Sequence, residues 1–276
     1  MERLEHRVAI ITGAGSGIGR ASARSMAANG MSVVLVGRTA ARIESAAEEI
    51  RETGGKAIAL AVDVAQENAF EMMRDRALDA FGRVDVVMNN AAAISTANPH
   101  EMPVEEWRRV MEINLFAAVR SNAVFVPHML KQREGHLVFV ASVDGLYGFG
   151  FDRLPYAASK AALVQMAEAL AIYLRPRGIG VTCFCPGPVD SDIASLRKPF
   201  GGPHEIRGPG DFLEGIAAEV AGDAVVQAIR DDQLLLLTHP DPIRQLMVER
   251  ASDFQAFNDR WIADPHVLFR PDGVED

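Results

Sequence analysis

Only two cysteines occur in the 276 residues, Cys183 and Cys185, two positions apart in an apolar run. Residues two apart on a strand share a face, and so short a spacing makes a poor disulfide. Both are therefore expected to be small buried thiols of a reduced, cytoplasmic protein. Long apolar runs are missing as well. Met1 to Arg7 leads into only Val8 to Ile11, too brief for a signal-peptide core or a membrane span. No block of like charges is present and the net charge is -9, which argues against nucleic acid and anionic membranes as partners. None of the seven histidines has metal-ligand spacing, so no metal is expected. Repeats and low-complexity segments are also absent. What is present is a chain with 49% apolar residues, enough for a substantial core. Its length suits one large α/β domain spanning 1–276.

Short β-rich runs alternate with segments of helical period. Strands are expected near Val8–Thr12, Ser32–Val36, Ala57–Val62, Val84–Asn89, His136–Ala141, Ile179–Cys185 and Leu234–Thr238. Helices are expected near Ile18–Asn29, Ala40–Thr53, Glu67–Phe81, Val104–Lys131, Tyr156–Arg175, Ala217–Asp231 and Asp241–Asn258. The alternation implies βαβ units: a doubly wound, mostly parallel, seven-stranded sheet with helices on both faces. One long Pro- and Gly-rich stretch, 187–215, stands out as a loop, and loops of that length are commonly functional. The tail 258–276 holds Trp261 and Phe269 without a clear period, and packs either on this subunit or on a partner.

Two features carry chemistry. Tyr156 and Lys160 lie four apart on an expected helix, so their side chains share a face. A lysine cation beside a phenol favours the phenolate and draws its pKa toward neutrality, where proton transfer both ways is feasible. The turn Thr12-Gly13-Ala14-Gly15-Ser16-Gly17-Ile18-Gly19 follows the first strand and opens a helix. Such a turn lets a pyrophosphate approach the helix N-terminus, where free N–H groups and the dipole attract anions.

The spacing Gly13-x-x-x-Gly17-x-Gly19, with Thr12 before it, resembles the short-chain dehydrogenase/reductase family. The likeness continues in order through Asn89-Asn90-Ala91-Ala92, Asn114, Ser142, Tyr156-x-x-x-Lys160 and Pro186-Gly187-Pro188-Val189, covering roughly residues 5 to 240. Ala92 departs mildly from the glycine usual there. The resemblance implies a Rossmann fold and a catalytic tetrad of Ser142, Tyr156, Lys160 and Asn114. In it Tyr156 is the acid/base, Ser142 orients the substrate oxygen, Lys160 tunes Tyr156 and holds the nicotinamide ribose, and Asn114 keeps a relay water. It also implies a dinucleotide held by Gly13, Gly15, Ser16, Gly17, Ile18, Gly19, Asp63, Val64, Asn90, Ala91, Pro186, Gly187, Val189 and Ser191. Pairing of the long fourth and fifth helices implies a homodimer or homotetramer.

Coenzyme choice turns on the end of the second strand. Gly37 stands where an acid selecting NAD is found, and Arg38, followed by Thr39, can take a 2′-phosphate. NADP(H) is therefore favoured over NAD(H), although Ser16 stands where NADP-preferring relatives often carry a second basic residue. On the substrate side Asp144, Tyr147, Phe149, Phe151 and Pro188 are the candidates. The aromatics either line an apolar or aromatic pocket or pack against the loop 187–215, which is expected to act as a lid. Asp144 either reads a substrate hydroxyl or caps a turn. The expected function is an NADP(H)-dependent interconversion of a secondary alcohol and a ketone. The rivals are an NAD-dependent dehydrogenase of similar alcohols and a dinucleotide-binding sensor or scaffold without turnover.

Overall fold

The computed structural model describes all residues except 2, 149, 192–195, 203–207, 210–212 and 264–276. The N-terminal half runs β1 (Val8–Thr12), α1 (Gly17–Ala28), β2 (Ser32–Gly37), α2 (Ala40–Glu52), β3 (Lys56–Ala61), α3 (Ala69–Phe81), β4 (Val86–Asn89) and β5 (Ile94–Thr96). It continues with α4 (Val104–Met111), α5 (Ala117–Gln132), β6 (Gly135–Val140), α6 (Leu154–Leu174) and β7 (Ile179–Cys185). Three short strands follow, β8 (Val189–Asp190), β9 (Arg197–Pro199) and β10 (Ile216–Ala217), then α7 (Ala218–Arg230) and β11 (Leu235–Leu237). The last elements are α8 (Pro240–Ser252) and α9 (Phe254–Ala263).

Seven strands form one all-parallel sheet in the order β11-β7-β6-β4-β1-β2-β3. Parallel pairing needs a crossover each time, and the helices supply it on both faces. Alternation along β1 shows the two cores directly. Val8 and Ile10 join Phe70, Phe125 and Leu163 beneath α3, α5 and α6. Ala9 and Ile11 join Met26, Ile43 and Val225 beneath α1, α2 and α7. Being covered on both faces explains why β1 and β2 read as continuous apolar runs. Chain order reverses between β1 and β4, and that switch point is where an open α/β sheet offers a crevice at its carboxyl edge.

The structure differs from the sequence expectation in three places. The single helix expected over Val104–Lys131 is interrupted by a π-helical turn, Glu112–Phe116, which carries Asn114. The helix expected over Asp241–Asn258 breaks at Asp253, whose backbone is extended and whose Oδ1 accepts from the Ala256 N–H at 2.9 Å, starting α9 afresh. Within the expected lid, the described residues hold β8, β9 and β10. There β9 pairs with β5 and β10 with β8, while 192–195, 203–207 and 210–212 lie outside the described residues. Of the tail, the part up to Ala263 belongs to α9 and returns to this subunit, with Trp261 Nε1 donating to the Gly148 carbonyl at 2.6 Å. The segment Leu154–Arg177 is long and apolar enough to cross a membrane by composition; its buried face packs on β7 and β6, while Ile172 and Tyr173 are exposed.

Candidate active site

The ends of β1 and β4 are bound together by Thr12 and Asn90. Thr12 Oγ1 accepts from the backbone N–H groups of Asn90 and Ala91, each at 3.0 Å, and the Asn90 amide donates to the Thr12 carbonyl at 2.8 Å. This clamp holds the glycine turn open above the crevice. Gly17 has φ +50, a conformation that side chains disfavour, and a Cβ on Gly19 would collide with the Gly13 carbonyl. The turn leads into α1, whose first turn has no acidic residue and whose N-cap Ser16 makes no side-chain cap bond. A cradle with no room for side chains, opening on helix N–H groups, fits a pyrophosphate.

The crevice is lined by Gly13, Gly15, Ser16, Gly17, Ile18, Gly19, Arg38, Thr39, Asp63, Val64, Asn90, Ala91, Tyr156, Lys160, Pro186 and Ser191, all expected from the sequence. Gly187 and Val189 do not line it. The Gly187 N–H is bound by Thr238 Oγ1 at 2.8 Å, and Val189 is drawn into pairing with β10. At these two positions the chain is held toward β11 and β10, and it is back at the crevice by Ser191. Gly37, Arg42, Ala92, Ile113 and Leu196 line it without having been expected. Of these Arg42 had a signal, being a second arginine close to Arg38, in the first turn of α2.

Tyr156 and Lys160 sit on α6 as their spacing requires, both buried, with Lys160 Nζ 5.4 Å from the Tyr156 ring centroid. Lys160 Nζ donates to the Val140 carbonyl at 2.6 Å, tying α6 to the end of β6. Ser142 lies two residues beyond the end of β6, close enough to the Tyr156 phenol to favour its charged form. Asn114 does not reach this cluster through a water-holding side chain. Its Oδ1 accepts from the Ala93 N–H at 2.7 Å, and its Nδ2 donates to the Ala93 carbonyl at 3.0 Å and to Ser159 Oγ at 2.9 Å. Ser159 Oγ in turn donates to the Tyr156 carbonyl at 2.7 Å. Both Asn114 donors are spent, so the side chain ties the segment after β4 to the Tyr156 helix. The π-helical turn aims it there, an irregularity common at functional sites.

The expected tuning of Tyr156 by Lys160 is not what the charges give. Burial, with the Asp144 charge added, pushes the phenol well above its ordinary value, against the Ser142 hydrogen bond. Burial likewise lowers the Lys160 ammonium to about 8. A buried pocket disfavours the charged form of each, and Lys160 is not among the groups that act on the phenol to reverse that.

On the substrate side Asp144 is buried in the turn after Ser142. Tyr147 is a correction. Its hydroxyl donates to the Ile243 carbonyl at 3.0 Å and its ring lies 6.1 Å from Phe257, so it packs against α8 and α9. Phe151 is exposed, Pro188 is half-buried, and Phe149 lies outside the described residues.

A sheet of this order, with a glycine cradle at its switch point and a Tyr–Lys–Ser cluster beside it, is the architecture of a nucleotide-dependent oxidoreductase. The sequence model described as short chain dehydrogenase matches residues 7–199, so the chain belongs to the short-chain dehydrogenase family and is an oxidoreductase enzyme. It is 32% identical over 277 residues to the 1-deoxy-11-beta-hydroxypentalenate dehydrogenase of Streptomyces exfoliatus, spanning 99% of this chain and 94% of that one. A short chain dehydrogenase/reductase from Burkholderia phymatum in complex with NAD superimposes with TM-score 0.80 at 29% identity, over 91% of this chain and 96% of that one. A Beutenbergia cavernae structure with bound NADP gives TM-score 0.72 at 32% identity, over 85% and 95%.

Proposed function

We propose that the protein is a cytoplasmic, NADP(H)-dependent oxidoreductase that interconverts a secondary alcohol and a ketone. The observation that carries this reading is the meeting of Tyr156, Ser142 and Lys160 at one end of the nucleotide crevice. When bound, the coenzyme supplies or accepts the hydride. The chain's own residues handle the proton. Negative charge develops on the carbonyl oxygen during reduction, so a donor must already be placed there. Tyr156, held neutral by burial, keeps its proton until that oxygen becomes basic enough to take it. Ser142 hydrogen-bonds the same oxygen and orients it. Lys160 bridges the crevice floor and the Val140 carbonyl, where it can hold a ribose hydroxyl.

NADP(H) is preferred in this reading because Arg38 and Arg42 both line the crevice and α2 starts without an acid in its first turn. Arg42 supplies the second cation that Ser16 does not. For the substrate, the Streptomyces relative's name, that of a hydroxyl-bearing compound's dehydrogenase, supports an alcohol. Phe151, 39% exposed, supports an apolar or aromatic body. Exposed Phe116 and Val119, with Ile172 and Tyr173 on α6, support association into a homodimer or homotetramer through the long helices.

The test is nicotinamide absorbance with NADPH and NADH in parallel, against aryl, alicyclic and aliphatic ketones and the matching alcohols. Turnover with NADPH preferred is expected. Tyr156→Phe should lower kcat by about 1,000-fold or more while coenzyme binding stays, because only the proton donor is lost. A Phe variant with near wild-type turnover would remove Tyr156 from the chemistry, and an NADH preference would overturn the Arg38 and Arg42 argument.

A further inference from the structure

Asp144 is a buried titratable side chain beside this site that proton transfer and coenzyme binding leave unexplained. It lies in the 3-10 turn Val143–Gly145 that follows β6. Three contacts fix that turn. The Val143 N–H donates to the Pro186 carbonyl at 3.0 Å, and the Asp144 N–H donates to Ser142 Oγ at 3.1 Å. A Cβ on Gly145 would stand 2.7 Å from the Lys160 carbonyl carbon, so the turn is pressed against α6 at the level of the Tyr156–Lys160 pair. The Asp144 side chain cannot swing away with its loop.

The carboxyl held there is poorly satisfied. Asp144 is 7% exposed, and among the described residues its carboxylate oxygens accept no hydrogen bond. The nearest cation, Arg153 Nη1, is 3.8 Å from Oδ2, beyond hydrogen-bond reach, and the Arg153 Nε is directed to Asp152 Oδ1 at 3.2 Å. Buried carboxylates ordinarily take hydrogen bonds, and one left without them is destabilising. Its charge is also felt at the Tyr156 phenol, which it raises, so the two groups lie near one another.

We propose that Asp144 is a specificity-determining residue that accepts a hydrogen bond from a second hydroxyl of the substrate, which makes hydroxy ketones and the corresponding diols the preferred substrates. This deepens the alcohol–ketone reading above and rests on it. A neutral hydroxyl fits better than an ammonium group, because Arg153 and Arg197 both already act on this carboxyl and would repel a third cation. A plain ketone leaves the Asp144 oxygens as they are, whereas a hydroxy ketone supplies the missing donor. A site built to bond a hydroxyl discriminates strongly against an analogue that lacks it.

The test compares 2-hydroxycyclohexanone with cyclohexanone, using NADPH, in the wild type and in Asp144→Leu and Asp144→Asn. In the wild type, kcat/KM for the hydroxylated ketone should exceed that for the plain one by about tenfold to a hundredfold. Asp144→Leu should bring the ratio close to one, mainly through KM for the hydroxylated substrate. Asp144→Asn keeps an accepting oxygen of the same shape and should retain part of the preference, which separates lost recognition from a disturbed fold. A wild-type ratio near one, or a ratio unchanged in Asp144→Leu, would overturn the proposal. If neither ketone is turned over with NADPH or NADH, the alcohol–ketone reading of the reaction fails. Asp144 is then judged by the thermal shift of the protein with NADP+ and cyclohexane-1,2-diol against cyclohexanol. A diol-specific shift lost in Asp144→Leu supports the assignment, and equal shifts sink it.

Discussion

Gly37→Asp is the sharpest perturbation of coenzyme choice that the structure offers. Gly37 ends β2, with its carbonyl accepting from the Val62 N–H at 3.1 Å, and it lines the crevice beside Arg38. A Cβ built there meets one atom within 4 Å, Ile43 Cγ2 at 2.9 Å. The backbone therefore tolerates the change, and only the Ile43 side chain must shift. The new carboxylate stands where a 2′-phosphate or a free ribose 2′-hydroxyl would lie. Two unit charges about 4–5 Å apart at a half-exposed site repel by roughly 1–3 kcal/mol, between the bulk-water and protein-surface limits. Hydrogen bonds from the ribose hydroxyls to a carboxylate add about 1–2 kcal/mol in favour of NADH. Together these predict that the NADPH/NADH ratio of kcat/KM falls by about 30-fold to 4,000-fold.

Steady-state kinetics with both coenzymes, at one saturating substrate, measure the ratio. Gly37→Asp combined with Ile43→Ala should give a swing of the same sign, since alanine has no γ carbon and so removes the 2.9 Å contact. A ratio that moves less than threefold in both variants would mean that the end of β2 does not face the 2′ position. The Arg38 and Arg42 argument would then fail with it.

Two further outcomes follow from buried polar groups. Asn114→Ala removes three hydrogen bonds, two to Ala93 and one to Ser159. It should cost about 2–4 kcal/mol in urea unfolding and lower kcat more than it raises KM, because Tyr156 is held through Ser159; loss of stability with an unchanged kcat would refute the positioning role. His136 is fully buried on β6, with Nε2 2.8 Å from Thr182 Oγ1, and burial depresses its pKa from 6.5 to about 3. The folded protein therefore binds fewer protons than the unfolded chain between those values. Stability is fully present above about 6.5 and falls as pH drops toward 3, by roughly 3 kcal/mol at pH 4 if this group acts alone. In urea melts His136→Leu should show a shallower decline over that window, and an equal decline would assign acid sensitivity to other groups.

What the sequence made legible is what depends on local spacing. Tyr156 and Lys160 share a face because a helix puts i and i+4 together, and the glycine turn lies between a strand and a helix for backbone reasons alone. The strands of the main sheet were readable because both faces are covered and the runs are continuously apolar. What was not legible depends on distant partners. β5 and β9 are three residues each, too short for a period, and exist because they pair with one another across about a hundred residues. Tyr147 read as a pocket aromatic because its sequence neighbours border the site. Its actual partners, Ile243 and Phe257, come from α8 and α9. The π-helical turn at Asn114 has no sequence signature either, since the helical pattern runs through it and only the Ala93 backbone shows why it turns.

The electrostatics suggest why the parts are distributed as they are. Arg38 and Arg42 lie at the open, solvated end of the crevice, where they can meet a phosphate that keeps much of its hydration. Tyr156 and Lys160 lie at its buried end, with Asp144 buried nearby, and burial shifts all three toward their neutral forms. A neutral phenol is the form needed to deliver a proton, and Lys160, lowered only to about 8, for the most part still carries its own proton at neutral pH. The Asp144 charge raises the phenol further, so a substrate hydroxyl that takes up this charge by hydrogen bonding also eases the phenol's release of its proton. Recognition of the second hydroxyl and proton transfer to the first oxygen are then coupled through one compartment. On this reasoning a substrate lacking the second hydroxyl should lose turnover rate as well as affinity.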